Sequence, residues 1–108
     1  MNDLFLELQV LLNQLNKANQ VLAENGKKYA ESEYEYKVAL NQCALRMKAE
    51  GMAIGLITLT CYGDKDVATK RLQRDICKTT YDSNIEFINS LKLQIKVKEN
   101  ALDREYRG

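Results

Sequence analysis

Two long apolar stripes, with gaps mostly alternating between three and four residues, constrain this chain more than any other feature. The first runs Leu4, Leu8, Leu11, Leu15, Ala18 and Leu22, then resumes as Tyr29, Tyr36, Leu40, Cys43 and Met47. The second runs Cys77, Tyr81, Asn84, Ile88, Leu91, Ile95 and Leu102. Such spacing puts each set on one face of an α-helix. Only Gly51 to Asp64 clearly loses the rhythm. The pattern therefore predicts an all-α fold, a long antiparallel helical hairpin in a single domain. The first helix covers about residues 3–50, an apolar tip 51–63, and the second helix about residues 64–106.

Composition agrees with this reading. Proline is absent and only five glycines occur in 108 residues, too little punctuation for a strand-rich fold. Asp3 suits the first turn of the first helix, near its positive dipole end. At Asn25-Gly26 two readings compete. The pair is a common helix stop, which would leave a separate helix over about residues 3–24. Periodicity on both flanks favours a continuous, bent helix, in which the glycine costs about 1 kcal/mol relative to alanine. Gly51 ends the first helix, and Asp64 or Asp66 starts the second.

The tip, Gly51 to Gly63, is the most apolar stretch and also the connector. It is too short to span a membrane and too apolar for a solvated loop. A short helix over about residues 55–62 is one solution, and a short strand is another. Ile54, Leu56, Ile57, Leu59 and Tyr62 are then either a cap on the core or a docking surface for a partner. The cap carries more weight, although the two roles are compatible.

In the second helix Lys70, Arg74 and Lys78 recur every fourth residue, with Arg71 beside them. They form either contacts to phosphate or an acidic surface, or a salt-bridge lattice with Asp66, Asp75 and Asp82; the lattice is favoured. Tyr81, Asn84, Ile88, Leu91, Ile95 and Leu102 form an apolar seam, read as the site of oligomer assembly. Asn84 within it either sets register or oligomeric state, or rotates to the edge of the interface and is solvated. Phe87, Leu93 and Val97 lie off that seam. A two-helix hairpin cannot readily cover them, so a homodimer or higher bundle is expected.

Catalysis is not indicated. Histidine is absent, and neither a phosphate-binding loop nor a dinucleotide fingerprint is present. The three cysteines, Cys43, Cys61 and Cys77, form no Cys-x-x-Cys pair and are read as reduced thiols in a cytoplasmic protein. No metal or cofactor is implied. The net charge of +1 mixes both signs, so nucleic-acid binding is conceivable but not favoured. No membrane span or secretory signal is expected.

A family resemblance emerges in the second half. Leu45-Arg46-x-x-x-Glu50-Gly51 is followed by Gly63-Asp64-x-x-Val67-Ala68-x-x-Arg71-x-x-Arg74-Asp75. Then come Tyr81-x-x-x-Ile85-Glu86-x-Ile88-Asn89-x-Leu91-Lys92 and Arg104-Glu105-Tyr106. Over roughly residues 40–107 this resembles small helical proteins encoded by phages and prophages of Gram-positive bacteria. Those proteins tend to carry proline near Ala53 and tryptophan at Tyr106. The resemblance implies a phage origin and a location in the bacterial host cytoplasm, without a defined activity.

The resulting expectation is a non-enzymatic interaction protein that binds an unidentified host or phage protein by occlusion or bridging. A stoichiometric, anti-CRISPR-like inhibitor of host defence is its sharper form. The alternatives are a nucleic-acid-binding accessory of phage replication or recombination, and a structural component of the virion.

Overall fold

The computed structural model describes residues 2–107. Three helices follow one another: α1 (Asn2–Ala49), α2 (Ile54–Tyr62) and α3 (Lys65–Arg107). Among the described residues there is no strand. The architecture is the all-α helical hairpin that the stripes predict, and its connector is a short helix. α1 passes through Asn25-Gly26 without a break.

Local chemistry explains where the helices stop and start. Gly51 has φ +89°, a left-handed conformation that costs glycine no side-chain clash. Its N–H donates to the Lys48 carbonyl at 3.1 Å, and the Met52 N–H donates to the Met47 carbonyl at 3.0 Å. This pair of bonds is a Schellman motif, and it satisfies carbonyls that the end of α1 would otherwise leave bare. Met52 also packs on the core cluster that contains Met47, the apolar contact that usually accompanies the motif.

Asp64 begins α3. Its Oδ2 accepts the Val67 N–H at 3.2 Å, and its Oδ1 accepts from Arg46 Nη2 at 3.1 Å. One carboxylate therefore caps α3 and ties it to the last turn of α1.

The chain packs as two compact units, one formed by Gly26–Thr80 and one by Met1–Asn25 with Tyr81–Gly108. We call them the tip unit and the terminal unit. The tip unit buries Tyr36, Ala39, Cys43 and Met47 from α1, Ile57 and Cys61 from α2, and Val67 from α3. Every helix thus contributes to one core. In the terminal unit the buried cluster is Ala18, Ile88 and Leu91, with Leu11, Leu15 and Leu22 packed against it.

In the terminal unit part of the α3 seam packs within the chain. Ile88, Leu91 and Ile95 are buried in the chain itself, and Tyr81, Asn84 and Leu102 are half-buried. A heptad stripe shows that a helix pairs along one face, but not whether its partner is the same chain or another. Here residues of α1 in the same chain pack against Ile88 and Leu91, so these two are covered without a second copy. Asn84 keeps a specific role. Its Nδ2 donates to the Ala18 carbonyl at 3.3 Å, and its Oδ1 accepts from Asn25 Nδ2 at 3.0 Å.

Candidate partner-binding site

α2 has the sequence Ile-Gly-Leu-Ile-Thr-Leu-Thr-Cys-Tyr and no charged residue. Helices that are apolar all round normally lie inside a protein. This one does not. Ile57 and Cys61, one turn apart, are buried, whereas Ile54 is 81 % exposed, Leu59 71 %, Leu56 56 % and Tyr62 41 %. Of the five tip residues, Ile57 is therefore a core anchor and leaves the candidate docking set. The other four form a bare apolar surface on a short, well-anchored element.

Sulfur contacts and one aromatic contact hold α2 in place. Cys61 Sγ donates to Met47 Sδ at 3.5 Å. Cys43 lies alongside, its thiol raised to about 11 by burial first, then by its hydrogen bond with Cys61 and by the charge of Asp64. Such a thiol stays protonated at neutral pH and is a poor nucleophile. Its role is packing. On the other side Arg71 lies over the Tyr62 ring, 5.7 Å from the centroid. This contact steadies the tyrosine while leaving part of it exposed.

The basic ridge is engaged within the tip unit. Lys70 Nζ lies 3.6 Å from Glu35 Oε2. Arg74 reaches Asp75 at 2.9 Å and Glu33 at 3.4 Å, and its guanidinium carbon sits 4.5 Å from the Tyr36 centroid. Partial desolvation would lower the Arg74 pKa, but the hydrogen bonds and charges of Asp75 and Glu33 outweigh it and raise it. Lys78 is engaged as well. The lattice expected from Asp66, Asp75 and Asp82 thus draws two of its anions, Glu33 and Glu35, from α1. These acidic neighbours make Lys70 and Arg74 poor places for a phosphate.

Sequence periodicity also missed apolar residues that the structure exposes. Leu72 and Ile76 follow Val67 on α3, yet they are 60 % and 57 % exposed while Val67 is fully buried. Leu45 on α1 is likewise 60 % exposed. The useful signal was angular: from Val67, a step of five and then four carries Leu72 and Ile76 to the far side of α3.

Among the described residues, no group of three or more His, Cys, Asp or Glu is placed to hold a metal ion. No helix among them is long and apolar enough to cross a membrane. Comparison with protein-family models, curated proteins and solved structures finds no match for this chain.

Proposed function

We propose that this chain is a non-enzymatic interaction protein that inserts the outer side of α2 into an apolar groove of a protein partner, occluding or bridging it. The observation that carries this reading is an uncharged helix whose inner residues are locked in a core while Ile54, Leu56, Leu59 and Tyr62 stand in solvent. Contiguous exposed apolar surface on a rigid element favours binding, because little conformational entropy is lost on docking. Its sharper form, a stoichiometric inhibitor of a host defence system in the bacterial cytoplasm, rests on the phage origin that the resemblance over residues 40–107 implies, which by itself defines no activity.

Nucleic-acid binding has less support, since Glu33, Glu35 and Asp75 already occupy Lys70 and Arg74. The test places a photo-crosslinking amino acid at position 59 and identifies what it captures in host cells. Purified partner is then titrated against wild-type protein and Leu59→Glu. Saturation at a fixed ratio, weak dependence on salt and loss of binding in the variant support the proposal. A steep salt dependence in a DNA mobility shift, abolished by replacing Arg71 and Arg74, overturns it.

A further inference from the structure

Another surface, in the terminal unit, lies outside the docking reading of α2. Residues 8–23 contain a single charged side chain, Lys17, in a chain that is 29 % charged overall. Solvated helix faces normally carry charge on every turn or two. Here the outward positions are aliphatic or amide. Leu6, Val10 and Val21 fall on one flank of α1 and are 56 %, 54 % and 45 % exposed.

Across from them on α3, Phe87 is 51 % exposed. Val21 and Phe87, with Gln14, Lys17, Ala18 and Asn84, line a groove of 310 Å³. Through Gln14 it adjoins a second groove of 370 Å³ at Val10 and Leu11. The charged residues of that second groove, Glu7 and Lys98, pair with each other at 2.6 Å.

We propose that this groove is a homodimer interface, filled by residues 8–23 of a second copy. Three arguments select a second copy over another occupant. The face is nearly free of net charge, so it fits a surface that is equally uncharged, and the same segment of another copy is such a surface. In a two-fold arrangement whose axis passes beside Val21 the match is reciprocal, each copy placing Val21 against the other's Phe87.

The area is also of the right size. Four or five half-exposed aliphatic and aromatic side chains leave on the order of 400 Å² bare. A stable dimer buries about 800 Å² per partner, a little over half of it apolar. Finally, the buried cluster described in the terminal unit is small, Ala18, Ile88 and Leu91 with three partly buried leucines packed against it. A pair of helices with so small a core needs its cover whenever it is folded, and a second copy is always at hand.

Light scattering and thermal melts at several protein concentrations test this. The expected mass is twice the 12.4 kDa of the chain, with a melting temperature that rises with concentration. The double variant Val21→Glu, Phe87→Glu should lose the dimer, while Leu59→Glu on α2 should keep it. Because the double variant could fail to fold, Val21→Cys in a Cys77→Ser background supplies an independent test. Oxidation should join two copies through position 21, and Thr79→Cys in the same background should not. A wild-type mass of one chain at every concentration overturns the proposal. So does a folded double variant that still dimerises, or a dimer whose cysteine at position 21 stays unlinked.

Discussion

The Arg74 guanidinium carbon lies 4.5 Å from the centre of the Tyr36 ring, with Glu33 and Asp75 as its hydrogen-bonding partners. Tyr36 belongs to the core of the tip unit, so this contact covers the core with a charge that is already paired. Replacing Arg74 by Ala should cost about 1–2 kcal/mol, through lost stacking as much as lost ion pairs. Lysine should recover only part of it, because an ammonium cannot stack on the ring while serving two carboxylates. Urea unfolding at low and high salt checks this. A loss that vanishes in high salt would mean that the ion pairs alone matter.

Asp64 unites two jobs that separate variants can divide. Asp64→Ala removes the cap of α3 and the Arg46 ion pair together, and should destabilise by about 1–2 kcal/mol. Asp64→Asn retains a capping oxygen and should lose well under half of that. Equal losses in the two variants, measured by chemical unfolding, would show that the cap contributes little.

The Cys43 thiol links stability to alkaline pH. Its folded value, about 11, stands above the ordinary 9.0, so the folded chain retains a proton that the unfolded chain releases. The contribution is complete below pH 9 and is lost as pH rises towards 11. Wild-type melting temperature should therefore fall more steeply across this window than that of Cys43→Ala. Parallel profiles for the two proteins would remove Cys43 from the alkaline transition.

On α2 the inner and outer positions should behave oppositely. Ile57→Ala opens a cavity beneath the helix and should cost about 2–4 kcal/mol. Leu59→Glu and Ile54→Glu should change stability by no more than about 0.5 kcal/mol, because both side chains already stand in water. Thermal melts of the three variants check this, and a large loss in Leu59→Glu would place that residue in the core.

The hairpin was legible because periodicity and punctuation agreed. Leu11, Leu15 and Ala18 against Ile88 and Leu91 show the three-four rhythm, and Gly51 and Asp64 carry the chemistry that helix ends need. The division of α2 was not legible. Nine uncharged residues, polar in mid-helix only at Thr58 and Thr60, offer too little contrast to distinguish Ile57 from Leu56 or Leu59. The partners of Lys70 and Arg74 were hidden for a different reason. Spacing along one helix reveals Asp75, whereas Glu33 and Glu35 become neighbours only once α1 and α3 have aligned. The seam of α3 was legible as a face, but the identity of its partner chain was not.

Cys61 is wholly buried under α2 while its own helix shows its opposite side to solvent. An alkylating reagent can reach that sulfur only when α2 lifts away from α1. The rate at which Cys61 is modified is therefore a clock for this lifting, already present in the natural chain and needing no engineered label. Any molecule that grips Leu59 from outside should slow that clock, and would thereby announce itself.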